Sequence, residues 1–289
     1  MSQIMRSIIL SLNVFALIIV VSLVPVQAQT QAACTFTYFS VPSPYNVSVQ
    51  PNGINHYNTV VGQASSTSKW KGFIRYSNGA ITLFSVPNSN ATFLTRRNLN
   101  GTSVGYYTVG TSSTPPSAGL ILTSSSYATL KYPGAANTFL SGINKWNSIV
   151  GSAADASGVY QGFKYSSGKF TSIKFPGAFS TSAGAINDNG VIIGNYVNGN
   201  LENPPQGFIL RDGVYKSLNF VPSDINNAGT MVAGSSIILS NGSIKTVHAP
   251  TSASTNLFGI NDLGVVTGNA NYAASGGAFT WKNFTAVCH

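Results

Sequence analysis

The sequence predicts an all-β fold, a six-bladed β-propeller with about four short strands in each blade. Three observations predict it. A short phrase recurs six times at intervals of about forty residues, turn residues follow each copy, and no stretch has the apolar period of a helix. An open, β-solenoid-like array of the same repeats is the alternative that this pattern leaves.

The first thirty residues have the features of a secretory signal peptide. Arg6 precedes a long apolar run, and the small residues of "VQA" place a cleavage site after Ala28. We therefore predict a signal peptide at 1–28 and a single repeat domain at 29–289. An uncleaved anchor is one alternative, and a lipoprotein on Cys34 is another, although "QAAC" lacks the Leu-like residue of such sites.

The two cysteines lie at the two ends of the predicted mature chain, Cys34 near its start and Cys288 near its end. An exported chain meets an oxidising compartment, so we predict a disulfide between them, with two free thiols as the alternative. If the strand at 34–42 lies antiparallel to the strand at 284–288, the two cysteines meet. A disulfide therefore implies that the ring is closed, and a closed ring brings the two cysteines together.

The recurring phrase is clearest in "GINDLGVVTG" and "AINDNGVIIG", and each copy contains an Asn by which we number the repeat units. A Gly follows seven residues later in five units and eight residues later in unit five. We expect the phrase to begin the innermost strand, where Gly fits a crowded axis, and the Asn to bond its own backbone in the turn between blades. Units one to six carry Asn55, Asn98, Asn144, Asn187, Asn226 and Asn261.

The rest of each unit also repeats. A Gly-Phe-like step opens a further strand, as in "GFIRY" and, more loosely, "GAFTW", and a Gly turn such as "SNG" or "RDG" follows. Such turns between apolar alternations predict hairpins. A last strand then ends in Pro, which cannot donate to a sheet. The chain starts and finishes in mid-unit, as a ring requires when its first strand joins its last blade.

These units resemble the bacterial extracellular repeats of the HAF type. The best matches are the two phrases quoted above, with "GINKWNSIVG" and "QGFKYSSGKFTSIKFPGA", and the similarity covers about residues 36–288. Units two and five depart from the pattern. The resemblance implies a secreted, β-propeller-like bacterial protein, and it carries no established catalytic residues to transfer.

Charge argues against nucleic acid as a partner. Only 7% of the residues are charged, and the net charge of +9 reflects just six acids. The one adjacent basic pair is Arg96-Arg97, whereas nucleic-acid binders cluster their basic residues on one element. Weak attraction to acidic glycans or anionic surfaces remains compatible with this charge.

Metal and cofactor chemistry find little support in the sequence. Asp188 and Asp262 stand in "NDNG" and "NDLG", but one carboxylate per unit falls short of the six to eight oxygens of a calcium site. We interpret both as Asx turns and predict no metal and no cofactor. An enzyme remains an alternative, and it predicts that Asp188, Asp262 and His56 converge at the axial mouth.

Repeated aromatic positions are the candidate ligand-binding residues. Tyr57 and Trp146 follow the repeat Asn by two residues, while Tyr106, Tyr196 and Tyr272 follow the repeat Gly. Equivalent slots on a ring point to one face, so these side chains could stack on sugars. Packing between blades is the alternative, since aromatic residues also dominate cores.

The sequence thus favours a secreted, non-catalytic repeat protein that binds or scaffolds at the cell surface. A glycan or a cell-surface protein is the expected partner, and we expect a monomer without a membrane span after cleavage, outside the cell or in the periplasm. A purely structural surface protein is one alternative. A propeller-type hydrolase or lyase with an axial site is the other.

Overall fold

The computed structural model describes residues 30–110, 115–274 and 277–289, and the predicted signal peptide at 1–28 lies outside these ranges. The described residues form twenty-five β-strands. They include no helix with the length and apolar character that a bilayer span needs. The all-β prediction is confirmed for this part of the chain.

The strands follow the sequence units along the first half of the chain. Two strands precede unit one, β1 (Thr30–Gln31) and β2 (Cys34–Phe39). Unit one forms β3 (Ser48–Ile54), β4 (Val60–Ser65), β5 (Trp70–Arg75) and β6 (Ile81–Phe84). Unit two forms β7 (Ala91–Arg97), β8 (Ser103–Thr108), β9 (Ser117–Leu122) and β10 (Tyr127–Leu130). Unit three forms β11 (Asn137–Ile143), β12 (Ile149–Ala154), β13 (Tyr160–Ser166) and β14 (Lys169–Ile173).

The second half of the chain continues the pattern with shorter strands in unit five. Unit four forms β15 (Ser180–Ile186), β16 (Ile192–Val197), β17 (Gln206–Arg211) and β18 (Val214–Leu218). Unit five forms β19 (Asp224–Ile225), β20 (Met231–Ala233), β21 (Ser236–Ile238) and β22 (Ile244–Thr246). Unit six forms β23 (Ser254–Ile260), β24 (Val265–Ala273) and β25 (Phe279–Cys288).

The fold is propeller-like, because each unit is an up-and-down antiparallel sheet and successive units pack on one another. The described strands form five sheets, one with eight strands, one with five and three with four. The eight-stranded sheet joins units one and two through a single parallel pair, Trp70 with Ala91. This division does not reproduce the six separate blades that the sequence predicts.

The first strand of every unit lies innermost. Each first strand contacts the first strand of the next unit, and β23 of unit six contacts β3 of unit one. This closed circle rules out the open array of repeats. It also corrects the placement of the recurring phrase. In unit three β11 ends at Ile143, directly before Asn144, so the phrase ends the inner strand and begins the second one.

Two glycines of the phrase are required by close approach, at different places. A Cβ on Gly142, before the Ile, would lie 2.9 Å from Ala185 Cα in the next inner strand. A Cβ on Gly151, after the apolar pair, would lie 2.0 Å from the carbonyl oxygen of Phe139 in its own unit. The prediction that the later Gly faces the axis is therefore wrong. It sits on the second strand, opposite a β-bulge after Leu140.

The predicted hairpin turns join the third and fourth strands of units one, three, four and five. In unit three, Ser167 and Gly168 have φ angles of 50° and 79°. In unit four, Asp212 and Gly213 have φ angles of 50° and 78°. Positive φ at both central residues defines the type I′ turn, whose twist matches that of the flanking strands. These hairpin predictions are confirmed.

The hydrophobic core is divided into clusters, each of which joins two successive units, including unit six and unit one. The Phe of the Gly-Phe step fills the centre of four of them. In unit six this Phe is Phe284, because it pairs with Gly268 as Phe73 pairs with Gly62. The step of unit six is therefore Asn283-Phe284, and its placement in "GAFTW" is wrong. The four fully buried rings are Phe73, Phe163, Phe208 and Phe284.

The two ends of the described chain close the ring. Strand β2 pairs antiparallel with β25 and completes unit six as its fourth strand. Cys34 stands opposite Cys288 in this register, and the two sulfurs are bonded. Both the predicted disulfide and the predicted antiparallel closure are confirmed. Strand β1 adds a parallel pairing to β22 of unit five.

Candidate functional site at the axial mouth

The six repeat Asn residues form a closed ring of hydrogen bonds around one end of the axis. In every unit the side-chain Nδ2 donates to the backbone carbonyl of the repeat Asn in the next unit, and Asn261 donates to Asn55 across the closure. All six side chains are buried. The six donor–acceptor distances around the ring from Asn55 are 3.3, 3.0, 3.2, 3.0, 3.1 and 2.9 Å.

The amide oxygen of the same side chains holds the turn that follows each inner strand. In unit three, Asn144 Oδ1 accepts hydrogen bonds from the backbone N–H groups of Trp146 and Ser148, at 3.1 and 3.0 Å. This confirms that the Asn bonds its own backbone. The turn joins the first and second strands of one unit, so its predicted place between blades is wrong. One residue type therefore fixes both the turn within a unit and the contact with the next unit.

The residues that follow the repeat Asn line the mouth of the axial cavity. This cavity has a volume of about 80 Å³, which is room for a few water molecules. Its polar side is a network in which Asn227 Nδ2 donates to Asp188 Oδ2 and Asp262 Oδ2, at 2.9 and 2.8 Å. The six residues that directly follow the repeat Asn are His56, Leu99, Lys145, Asp188, Asn227 and Asp262.

An ion pair forms the floor of the mouth. Arg96 Nε lies 3.2 Å from Asp224 Oδ1, and both side chains are largely buried. Nη2 of Arg96 donates to the carbonyls of Ser223 and Phe258, at 2.6 and 3.2 Å, and Nη1 donates to that of Asn52. The guanidinium thus contacts units one, five and six from its position in unit two.

The acidic partner is held by the backbone as well. Asp224 Oδ2 accepts a hydrogen bond from the N–H of Ile260 at 3.0 Å, and Oδ1 accepts one from Ile225 at 3.0 Å. Burial nevertheless raises the pKa of Asp224, because it penalises the ionised carboxylate more than Arg96 and the two amides favour it.

Two of the predicted ligand residues lie on the rim of this mouth. Tyr57 is 61% exposed and Trp146 is 68% exposed, each in the turn that the repeat Asn holds. The indole Nε1 of Trp146 donates to the carbonyl of Asp188 in unit four at 3.1 Å, and Lys145 Nζ lies 4.8 Å from the ring centroid. The Trp146 side chain is therefore oriented even though it is exposed.

The other three predicted ligand residues do not share that face. They lie on second strands, which lead away from the Asn turns. Tyr196 is buried, and its ring stacks 3.7 Å from that of Phe175. Tyr106 stacks on Phe93 and meets Phe139 edge-on, with centroids 4.7 and 4.9 Å away. The five aromatic residues therefore do not share one face, because strand positions after the Gly face neighbouring sheets.

Tyr272 forms part of a separate aromatic group on unit six. Its hydroxyl lies 2.8 Å from that of Tyr38, and Lys282 Nζ lies 4.6 Å from the centroid of its ring. Burial and the neighbouring Tyr38 hydroxyl raise the pKa of Tyr272. Ligand binding by any of these five aromatic residues stays a prediction.

The three ionisable residues named for an enzymatic site, His56, Asp188 and Asp262, do line one mouth. Both carboxylates already accept hydrogen bonds. Asp188 Oδ1 accepts from the backbone N–H of Lys145, and Asp262 Oδ1 accepts from that of Asn227, each at 2.8 Å. These contacts link successive turns. Within the described ranges, no group of three or more His, Cys, Asp or Glu side chains is placed to hold a metal ion.

Arg96 and Asp224 form a pair that was not predicted from the sequence. They stand two residues before the repeat Asn, in the slot that is Gly in units one, three and six and Ala in unit four. Units two and five are also the two that depart from the repeat pattern. Opposite charges at this position in the two deviating units were the feature of the sequence that could have predicted the ion pair.

The sequence matches no protein-family model and no curated protein. Among solved structures, it is similar to a protein of unknown function from Dyadobacter fermentans DSM 18053, with 10% identity over 88% of this chain and 98% of that one, and a TM-score of 0.54. It is also similar to TolB from Acinetobacter baumannii, with 11% identity over 87% of this chain and 63% of that one, and a TM-score of 0.49. A mutant of the Aleuria aurantia lectin AAL in complex with Fucalpha1-6GlcNAc gives 12% identity over 85% of this chain and 96% of that one, and a TM-score of 0.49. Of these three, the first shares the fold with this chain, and at such identities none assigns an activity.

Proposed function

We propose that this chain is a secreted, non-catalytic repeat protein of the HAF type that binds a glycan of the cell surface through the rim of its axial mouth. The observation that carries the proposal is the pair Tyr57 and Trp146. Both are large, exposed aromatic side chains, and both stand on turns that the Asn ring fixes. Rigid aromatic groups beside polar ones are typical of binding sites, because little side-chain freedom is lost on contact.

The rim also has the polarity that a glycan needs. Leu263 follows Asn261 by two residues and adds a third exposed apolar side chain, with 56% exposure. The amide and carboxylate network around Asn227 lies on the same mouth. A sugar ring has apolar C–H faces and hydroxyl edges, so it can contact both kinds of group.

The test is a binding screen against glycans and isolated envelope polysaccharides, followed by affinity measurements on variants. We expect Tyr57→Ser/Trp146→Ser to weaken binding at least about tenfold, because two stacking surfaces are lost. Tyr127→Ser is the matched control, since Tyr127 is 42% exposed on the outer strand β10. Absence of binding by the unaltered protein would support a purely structural role instead, and equal binding by the rim variant would place the glycan site elsewhere on the protein.

We also propose that the ring consists of six blades, with the eight-stranded sheet counted as two. The two halves of that sheet are joined by one residue pair, whereas strands within a unit are joined by at least two. The six-membered Asn ring supports the same count. A density map that resolved a different number of four-stranded units around the axis would overturn it.

Export and a monomeric state complete the proposal. The Cys34–Cys288 disulfide is typical of proteins in oxidising compartments, such as the periplasm or the cell exterior. Mass spectrometry of the exported protein should find its first residue at Gln29, with the disulfide intact, and light scattering should give the mass of one chain. Recovery of the uncleaved chain from membranes would contradict the export step.

A second candidate function rests on one observation, that His56, Asp188 and Asp262 line the same mouth. If this site hydrolyses or cleaves a polysaccharide, Asp188→Asn/Asp262→Asn should abolish the release of reducing ends. Turnover that disappears in this variant would replace the non-catalytic proposal.

A further inference from the structure

A second cleft lies where the ring closes, between the sheet of unit six and the start of unit one. Its volume is about 770 Å³, against about 250 Å³ for the corresponding cleft between units three and four. One wall is formed by Trp281 and Asn283 of β25, and the other by Val49 and Gln50 of β3. The difference in volume between repeat-equivalent clefts calls for a cause in the sequence.

The first cause is the residue before the buried Phe of the Gly-Phe step. Units one to four have Gly there, and unit six has Asn283. A Cβ on Gly72 would lie 2.6 Å from Leu94 of the next unit, and one on Gly119 would lie 2.8 Å from Leu140. The equivalent of these leucines in unit one is Pro51, since Pro51, Leu94 and Leu140 all pair with the repeat Gly of their units. A smaller neighbour therefore gives the Asn283 side chain room between the sheets.

The second cause is an aromatic ring without its partner. Trp281 occupies the slot of Trp70, two residues before the Gly or Asn of the step. Trp70 packs on Phe93 of the next unit, with centroids 6.0 Å apart. The slot of Phe93, five residues before the repeat Asn, holds Gln50 in unit one. Within the described ranges Trp281 has no ring partner, and it is 49% exposed.

The cleft also contains an amide that the protein leaves unpaired. Asn283 is 5% exposed, and its Oδ1 is buried without a hydrogen-bond partner among the described residues. The same holds for Oδ1 of Asn271, which stands opposite Trp281 in the register of β24 and β25. Buried polar groups are paired in the great majority of cases, so an unpaired amide beside an open cleft indicates a missing partner.

The chemistry of the lining selects the ligand class. The described lining has aromatic and amide side chains, one ammonium group from Lys282, and no carboxylate. A pyranose ring can lay its C–H face on Trp281, while its hydroxyls, which both donate and accept, can pair with either atom of the Asn283 amide. A cleft of this size also lies within the usual range for small-molecule sites.

We propose that this closure cleft binds a neutral pyranose unit, stacked on Trp281 and hydrogen-bonded to Asn283 and Gln50. The site is separate from the axial rim, which lies beyond the opposite ends of the inner strands. Gln50 precedes Asn55 by five residues of an extended strand, a distance of about 16 Å.

Nuclear magnetic resonance can test the location directly, because the chain has three tryptophans and hence three indole N–H signals. Single Trp→Phe variants assign the signals. The probes are methyl α- and β-pyranosides of glucose, galactose and mannose, each titrated to about 50 mM, since a ligand of this size should bind with a dissociation constant on the order of 1 mM. We expect at least one of them to shift the Trp281 signal and leave the Trp146 signal in place.

Variants then test the two contacts by saturation transfer to the sugar. Trp281→Ser should weaken binding at least tenfold, and Asn283→Gly, which restores the residue of units one to four, should weaken it about five- to tenfold. Tyr127→Ser, on the outer strand β10 and outside both proposed sites, is the matched control and should bind the pyranoside as the unaltered protein does. Near-ultraviolet circular dichroism confirms that each variant is folded.

The following results would overturn the proposed closure site. No shift of the Trp281 signal with any pyranoside excludes it, and so does a shift that Asn283→Gly leaves unchanged. A shift of the Trp146 signal alone excludes it too, but supports binding at the axial rim. If the closure cleft binds a pyranoside and the axial rim binds no glycan, only the proposed function is contradicted.

Discussion

Arg96 and Asp224 occupy the same slot of two repeat units, and their side chains meet at the axis with 3.2 Å between Nε and Oδ1. The units that carry them, two and five, stand three units apart in a closed circle of inner strands. They are therefore opposite each other. Four units have Gly or Ala in this slot and bring their backbones close together, while the remaining two fill the centre with one ion pair.

Removal of one partner of this pair should destabilise the fold severely. Asp224→Gly leaves the Arg96 guanidinium buried without its counter-charge, and we expect the free energy of unfolding to fall by about 3–5 kcal/mol. The double variant Arg96→Gly/Asp224→Gly removes both charges and should recover a large part of that loss. Urea unfolding at neutral pH measures both.

The exposed pair of the same mouth is the matched control. Lys145 Nζ lies 4.0 Å from Asp188 Oδ2, and the Lys145 side chain is 41% exposed. Lys145→Ala should cost less than about 1 kcal/mol. If Asp224→Gly and Lys145→Ala lower the free energy of unfolding equally, the buried axial ion pair contributes no more than the exposed pair.

Titration of Asp224 should make the free energy of unfolding depend on pH. Because burial raises its pKa in the folded protein, the folded state binds this proton more tightly than the unfolded state does. The stability that Asp224 contributes through this proton is fully present below the ordinary aspartate pKa near 4. It is lost as the pH rises through the pKa of Asp224 in the folded protein. Asp224→Asn cannot titrate and should lack this decline.

Urea unfolding of both proteins between about pH 3 and pH 8 gives the comparison. The free energy of unfolding of the unaltered protein, minus that of Asp224→Asn, should decrease with increasing pH. A difference that increases with pH would mean that the pKa is lowered, and that Arg96 and the two amides outweigh burial.

The Asn ring should contribute more than the side chains of ordinary turns. Asn144→Ala removes two hydrogen bonds within its turn and one to the carbonyl of Asn187, so we expect a loss of about 3 kcal/mol in the free energy of unfolding. Asn78→Ala is the control, since Asn78 is exposed and accepts one turn bond. It should cost about 1 kcal/mol or less, and similar costs for the two variants would argue against the ring.

Much of the fold follows from local patterns in the sequence. Alternating apolar residues, Gly turns and strand-ending prolines are properties of adjacent residues, so they identified the strands, the hairpins and the closure through Cys34 and Cys288. Which strand of a unit lies innermost cannot be predicted from adjacent residues. The phrase around Asn144 spans a turn between two strands of similar composition, and only the contacts with neighbouring units reveal which strand is inner.

The site depended more strongly on distant contacts. Tyr57 and Trp146 follow the Asn inside a turn, where a side chain points outward, and both are exposed. Tyr196 follows the Gly on a second strand and packs against Phe175 of the neighbouring unit's outer edge. Arg96 and Asp224 are 128 residues apart. They fill the same repeat slot with opposite charges, but only the closed circle of units shows that the two side chains meet.

Two glycines of unit four should respond to Ala in opposite directions. A Cβ on Gly194 would lie 2.1 Å from the carbonyl oxygen of Ser182, so Gly194→Ala must displace backbone and should cost about 3 kcal/mol. A Cβ on Gly184 would lie 3.5 Å from its nearest neighbour, the carbonyl oxygen of Ile193. Gly184→Ala should be neutral or stabilise the protein by up to about 1 kcal/mol, because it restricts the unfolded chain. Thermal unfolding of both variants is the measurement, and a cost for Gly184→Ala equal to that of Gly194→Ala would contradict the close approach at the bulge.

The disulfide should stabilise the closed ring mainly through the unfolded chain. Cys34 and Cys288 are separated by 254 residues, and closing so long a loop lowers the entropy of the unfolded state by an amount worth about 5 kcal/mol. Cys34→Ser/Cys288→Ser should therefore unfold at a lower urea concentration, with a lower free energy of unfolding. The double variant should respond to dithiothreitol with no further change, whereas the unaltered protein should lose stability on reduction. If reduction leaves the unfolding midpoint of the unaltered protein in place, the pairing of β2 with β25 closes the ring without help from the covalent bond.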